Sequence, residues 1–209
     1  MFRRYGKLGT PASLYVRARY FLGQYTLLEG YVPKEGAVLD FGCGMGQLAV
    51  FLKIAGEGRE VYGCDTSPRR IEIARKASEG LTGIHFTSAA EPPPGGWNAV
   101  IFFDSLHYLP EREQDGLVLE QCERILPGGV LLIRDVHVKA FMKFSIAFLH
   151  ENVMVRSGFT PTPSKRLYFR NMDDFKKLLS GRGFTVDMAP PPLLHPYADY
   201  LIVAAKPVS

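Results

Sequence analysis

The chain has 209 residues, 46% of them hydrophobic and 22% charged, with a formal net charge of +4 and three cysteines. That is enough apolar content for one domain with its own core, and too even a charge distribution for a disordered chain or a charged tail. No apolar run approaches the roughly 20 residues that cross a bilayer, three cysteines cannot all pair within the chain, and the basic start Met-Phe-Arg-Arg-Tyr-Gly-Lys lacks the apolar core of a secretory signal, so a soluble protein of a reducing cytoplasm is expected. Residues 15–32 read as a helix, 37–41 as a buried strand, and 47–55 as a helix stopped by Gly56. Residues 60–65 form the next strand, Ser67 the N-cap, Pro68 the first helical residue, and 69–78 a helix closed by Gly80. A third strand at 84–88 precedes the proline-rich loop 91–97, and 98–104 is the fourth strand. Val118, Cys122 and Ile125 share one face of a helix running to Leu126; Pro127-Gly-Gly129 ends it before a strand at 130–136. Residues 139–155 are rich in Phe, Met and Ile on more than one face and read as part of a lid spanning 139–170, with a loop at 160–164. Asn171 and Asp174 cap a helix ending at Gly181, and strands at 184–188 and 199–206 close the chain. Strand–helix alternation implies a parallel sheet with helices on both faces, in a single domain, 1–209, that opens with a helical segment, 1–36.

The run Val38-Leu-Asp-Phe-Gly-Cys-Gly-Met-Gly-Gln47 places Gly42, Gly44 and Gly46 behind a strand with an acid, Asp40, near its end. The dinucleotide fingerprint G-x-G-x-x-G presents a helix N-terminus to a pyrophosphate. Here the spacing is G-x-G-x-G, and Asp40 would add negative charge beside two phosphates. A ligand with an ammonium and a sulfonium but no phosphate suits that acid, and S-adenosylmethionine is such a ligand. Asp65 ends the second strand about twenty residues on, where an acid accepts hydrogen bonds from ribose hydroxyls.

On these residues the chain resembles the class I S-adenosylmethionine-dependent methyltransferases. Residues 38–47 resemble the family's first motif, 61–65 its second, 98–108 its fourth, and Leu126-Pro-Gly-Gly-Val-Leu-Leu132 the run before its fifth strand. The resemblance implies an α/β fold with a doubly wound, mostly parallel, Rossmann-like seven-stranded sheet whose last strand, near 199–206, is antiparallel. It implies S-adenosyl-L-methionine as cofactor, with Asp40, Gly42, Gly44, Gly46, Gln47, Asp65, Thr66, Ser88, Ala89 and Asp104 as its binding residues. Gly42 and Gly44 would approach the methionine portion, Asp65 the ribose, and Asp104 the reacting methyl. The family often carries an acid after the third strand, facing adenine; Ser88-Ala-Ala90 stands here instead, leaving Glu91 or a backbone carbonyl to substitute.

Asp104-Ser-Leu-His-Tyr108 follows the fourth strand, and it is not the Asn/Asp-Pro-Pro-Tyr sequence of methyltransferases that act on nucleobase amino groups, so a small-molecule or acyl-carrier-linked substrate is expected and no nucleic acid. His107 reads either as the base that removes a phenol or hydroxyl proton or as a structural or cofactor-side residue. Asp104 would orient the imidazole or hold the methionine ammonium. Asp104 and Asp135 could both face a Mg²⁺, but Val136 supplies no third oxygen, so no metal is expected and Asp135 reads as a loop or substrate-facing residue. Cys43, Cys64 and Cys122 read as small core residues, and His85, His150 and His195 lack ligand spacing. Arg3, Arg4, Lys7, Arg17 and Arg19 form a solvated face or meet an acidic carrier, a phosphorylated substrate or an anionic membrane surface, without stable insertion. Phe141, Met142, Phe144 and Phe148 are expected over an apolar acceptor pocket, together with aromatic residues from 15–25, the alternative being an ordinary core helix. His107-Tyr108, Pro127-Gly-Gly129 and Arg166-Leu-Tyr-Phe-Arg-Asn171 are also similar to methyltransferases accompanying aryl-polyene and fatty-acid-like synthesis, which act on carrier-bound aromatic groups. The expected activity is O-methylation of a phenol or hydroxyl; the alternatives are a catalytically silent cofactor-binding partner protein and, against the glycine spacing and Asp40, a nucleotide-dependent oxidoreductase.

Overall fold

A computed structural model describes residues 1–7, 10–89, 92, 94–139, 145, 148, 149, 151–153, 156 and 166–208. Seven strands form one sheet in the order β3-β2-β1-β4-β5-β7-β6. The chain divides into two compact units, Met1–Ile101 and Phe102–Ser209, with the boundary inside β4 (Trp97–Phe103).

In the first unit, β1 (Gly36–Phe41), β2 (Arg59–Cys64) and β3 (Ile84–Thr87) pair in parallel, Val38 opposite Val61 and Val61 opposite Ile84. Between them run the helices α4 (Gln47–Ala55) and α5 (Pro68–Ser78). The strands are buried apolar runs, Val38, Leu39 and Val61 being wholly inaccessible, as strands covered on both faces must be. Ser67 caps α5 by accepting from Arg70 N, and Pro68 occupies the first turn, where no amide donor is missed.

The expected helix over residues 15–32 is two helices, α2 (Thr10–Leu22) and α3 (Tyr25–Glu29), preceded by α1 (Phe2–Gly6). The break falls at Gln24, which adopts a left-handed conformation (φ 52°). Packing explains it: the turn sets the Tyr25 ring against Tyr20 and Phe51, with centroids 5.6 and 5.7 Å away, and buries Tyr25 and Leu28. Arg59, at the start of β2, holds the following connection. Its guanidinium is fully buried and donates to Pro33 O at 2.6 Å and to Leu52 O, Val32 O and Glu29 Oε1 at 2.8 Å each. A buried charge is tolerated here because its donors meet carbonyls and a carboxylate.

In the second unit, α6 (Glu111–Arg124) leads straight into β5 (Ile125–Val136), α7 (Met172–Ser180) into β6 (Thr185–Ala189), and β7 (Asp199–Ala205) closes the fold. β7 lies antiparallel to both β5 and β6. Strand β5 starts before Pro127 rather than after Gly129. Gly128 N donates to Lys206 O and Lys206 N to Gly129 O, so the pairing continues through the glycines. The Lys206 ammonium then takes up the Cys122 and Ile125 carbonyls where α6 runs out, the task a C-terminal cap usually performs. Asn171 caps α7 through its side chain, which accepts from Asp173 N, and Met172, Phe175 and Leu179 bury the inner face. Phe141, Met142 and Phe144, and most of the expected lid, lie outside the described residues; of the rest of that segment, Phe148, Leu149 and Val153 are exposed and Glu151 is buried. No described helix is long and apolar enough to cross a membrane.

Candidate active site

The first unit gathers its polar groups at the carboxyl ends of β1, β2 and β3. The turn after β1 makes three left-handed residues, Gly42, Gly44 and Gly46, with φ of 73°, 55° and 72°. They serve different ends. A Cβ on Gly46 would fall 2.7 Å from Ala74 Cβ and from the Phe86 ring, so this glycine lets α4 sit close to α5 and β3. A Cβ on Gly44 would meet nothing within 4 Å, which leaves its backbone open to a ligand. Asp65, one residue past β2, holds the turn in place: its Oδ2 accepts from Gly44 N at 2.9 Å and its Oδ1 from Ser67 N at 2.8 Å.

Asp40 and Gln47 lie behind this turn, both buried. Asp40 Oδ2 and Gln47 Nε2 have no hydrogen-bond partner among the described residues, while Tyr25 Oη reaches Gln47 Oε1 at 3.4 Å. Burial pushes the Asp40 carboxyl up to about 7; the Ala49 amide and Arg19 oppose that, and the Asp65 charge adds to it. An unsatisfied buried acid beside an open glycine backbone fits a cationic, phosphate-free group such as the methionine end of S-adenosylmethionine. Thr66 and Ser88 are exposed and Ala89 half-buried; Glu91 lies outside the described residues.

The second unit has its own cluster, at the carboxyl ends of β4 and β5. The imidazole of His107, in a 3₁₀ turn (Leu106–Tyr108), is almost wholly buried. Its Nδ1 lies 2.7 Å from Asp135 Oδ1, and its backbone N donates to Asp135 Oδ2 at 3.3 Å. The ring stacks on Phe169 and tilts against Tyr108, with centroids 4.7 and 4.2 Å apart. One backbone link and one side-chain bridge fix the turn against the chain before α7: Tyr168 N donates to His107 O, and Gln114 Nε2 bridges Leu109 O and Tyr168 O. Burial disfavours the imidazolium, but the charge and hydrogen bond of Asp135, with the Glu151 and Asp104 charges, outweigh it and lift the His107 pKa to about 9. His107 Nε2 has no hydrogen-bond partner among the described residues; Glu151 Oε2 lies 4.0 Å away and accepts from Tyr108 Oη at 2.8 Å.

Asp104 does not orient the imidazole. Asp135 does, and Asp104, itself left-handed (φ 49°), pairs with Arg134, whose other nitrogen pairs with Asp199 on β7. The sequence placed Asp135 at the right strand end but assigned it no partner; the usable signal was its place beside Asp104 on neighbouring strands. Glu151 was missed altogether, although it is the one acid between Asp135 and Asp173. His137 accepts from Met172 N at 3.1 Å, a cap for α7. Asp135 spends its oxygens on His107 and Val136 N, and no cluster of three His, Cys, Asp or Glu suited to a metal occurs among the described residues.

A family model described as a methyltransferase domain matches residues 15–188. An uncharacterised methyltransferase of Geobacillus kaustophilus is 28% identical over 174 residues, 81% of this chain and 79% of that one. YqeM of Bacillus subtilis is 30% identical over 116 residues, covering 53% of this chain and 46% of that protein. Among solved structures, an O-methyltransferase family protein of Burkholderia thailandensis superposes with a TM-score of 0.69 at 16% identity, over 92% of this chain and 58% of that one. A DhpI–SAH complex gives 0.64 at 18% identity, over 99% of this chain and 92% of that one. At such identities the structural likeness is one of fold, but the family model spans most of the sequence, and with the glycine turn, the strand-end acids and the sheet order it places the chain in the class I S-adenosylmethionine-dependent methyltransferase family.

Proposed function

We propose that this chain methylates a hydroxyl, phenolic by preference, on a small or carrier-linked molecule, with S-adenosylmethionine as donor. The observation that carries the acceptor half is the buried His107–Asp135 pair, whose outer nitrogen has no hydrogen-bond partner among the described residues. An imidazole anchored on one side by a carboxylate and with a hydrogen bond still to make on the other is suited to hold a hydroxyl. The solved O-methyltransferase neighbour agrees with that chemistry, and the neighbour solved with SAH agrees with the donor.

In the donor half, Asp40, the Gly44 backbone and Gln47 would hold the methionine end and Asp65 the ribose. The bound donor supplies a methyl already activated by a sulfonium. The protein therefore has to position the acceptor and manage one proton, with positioning the larger share.

Calorimetry with S-adenosylmethionine, its demethylated product and NAD tests the donor; the first two should bind and NAD should not. Asp65→Ala should weaken donor binding by about 1–3 kcal/mol, the range for hydrogen bonds to a charged group. Unchanged affinity would remove Asp65 from the site. Labelled methyl offered with free and carrier-linked phenols tests the acceptor, and label on nitrogen or carbon alone would overturn the hydroxyl assignment.

A further inference from the structure

Glu151 and His107 face each other across a gap that is too wide for a hydrogen bond and too narrow to be unrelated. His107 Nε2 and Glu151 Oε2 are 4.0 Å apart, and both side chains are largely buried. Each is held by a further group, His107 through its other nitrogen by Asp135 at 2.7 Å and Glu151 through the same Oε2 by the Tyr108 hydroxyl at 2.8 Å. One oxygen atom placed about 2.8 Å from both, an ordinary hydrogen-bond length, would see them at roughly 90°, an angle a hydroxyl accommodates with one lone pair accepting and its proton donating. The gap therefore has the dimensions of a two-point clamp on a single hydroxyl.

We propose that Glu151 takes the acceptor's proton while His107, protonated on both nitrogens, donates to the same oxygen. This rests on the hydroxyl-methylation reading above and changes which group is the base. The titratable groups facing His107 are Asp135 from β5, Glu151, Asp104 and Tyr108, three of them carboxylic acids. With its pKa lifted to about 9, only about one His107 in a hundred is neutral at pH 7, and an imidazolium cannot accept a proton. It can instead lower the pKa of the hydroxyl it touches, by stabilising the oxyanion that forms, so that a carboxylate suffices as base. In the step, the O–H proton passes to Glu151, the freed oxygen pair forms the bond to the methyl carbon, and the carbon–sulfur pair returns to sulfur, leaving a neutral thioether. Glu151 then releases its proton to solvent.

Nitrogen NMR of the full chain labelled at histidine reads the first half without donor or acceptor, with His107→Gln assigning the signal. Both His107 nitrogens should be protonated at pH 7, and Glu151→Gln should lower the midpoint of that titration. A neutral His107 ring at pH 7 would overturn the inference and leave the hydroxyl reading intact. Where methyl transfer to a phenol is measured, kcat/KM should stay level through neutral pH and fall above about 9 as His107 loses its proton. Glu151→Gln should lower it by about 10²-fold or more, with the residual rate climbing toward the phenol's own ionisation, and Glu151→Asp should recover part of it. A wild-type profile that rises about tenfold per pH unit up to 9, with Glu151→Gln near normal, would return the base to His107. Label transferred to no hydroxyl at all would sink the hydroxyl reading instead, and the NMR result would still decide the charge of His107.

Discussion

Asp40 and His107 are both buried ionisable groups, but their surroundings act in opposite senses. Around Asp40 burial dominates and favours the neutral acid; around His107 three carboxylates overcome burial and favour the cation. The consequences for stability follow from linkage. Asp40 has a folded pKa of about 7, above its ordinary value of 3.8, so the native state holds the proton more tightly and stability without ligand falls as pH rises from about 4 to 7. Asp40→Asn should flatten that part of the melting curve against pH, a difference on the order of a few kcal/mol, and should weaken binding of the cationic donor by tenfold or more. An unchanged slope together with unchanged affinity would mean that Asp40 is a core residue with no ligand to meet. His107 is also raised, from 6.5 to about 9, so the stabilisation it draws from Asp135 is complete below pH 6.5 and lost as pH climbs through 9. Asp135→Asn should remove it, and with it the high-pH loss of melting temperature.

The turn between β1 and α4 shows how one element divides its glycines between folding and binding. Gly46→Ala places a methyl on the Phe86 ring and on Ala74, within a left-handed residue, and should cost about 1–3 kcal/mol of stability through overpacking and backbone strain. Gly44→Ala bears only the strain, since its methyl enters open space, and should keep the fold while losing donor affinity. Melting temperature and calorimetry on the two variants should dissociate; parallel losses in both would deny Gly44 a binding role. The turn itself was legible because glycine spacing is a local signal, and so were α4, α5 and α7, whose caps and stops lie within a few residues of their ends. Where the sequence misled, the deciding contact was remote. The break at Gln24 answers to Phe51, and the early start of β5 answers to Lys206. The Asp135 partner of His107 lies 28 residues away in the chain, and Glu151 lies 43 residues from Tyr108; no period or motif connects such pairs.

At the scale of the whole molecule, the carboxyl-end acids of the second unit are organised by one arginine. Arg134, nearly inaccessible on β5, pairs with Asp104 past the end of β4 and with Asp199 at the start of β7, and its guanidinium lies 4.7 Å from the Phe103 ring. His195 stands 4.0 Å from Asp199, and burial raises the Asp199 pKa against the pull of Arg134. Sequence alone named Asp104 as a cofactor-binding or catalytic group, and nothing local announced the arginine that holds it. Removing that arginine should be felt throughout the unit. Arg134→Met would take from the half-buried Asp104 and the buried Asp199 the guanidinium that they share, and about 3–5 kcal/mol of stability should go with it near neutral pH. The loss should shrink as pH falls. Without Arg134 the folded pKa of Asp199, already raised by burial, rises further, the native state binds its proton more tightly than the unfolded chain, and acid therefore stabilises the variant relative to its state at pH 8. Adding Asp104→Asn and Asp199→Asn to Arg134→Met should recover most of the lost melting temperature at pH 8, because the cost lies in the orphaned charges rather than in the missing side chain. A loss of equal size at pH 5 and pH 8, unrelieved by the two asparagines, would show that packing of the arginine stem on Phe103, and not charge balance, holds these strand ends together.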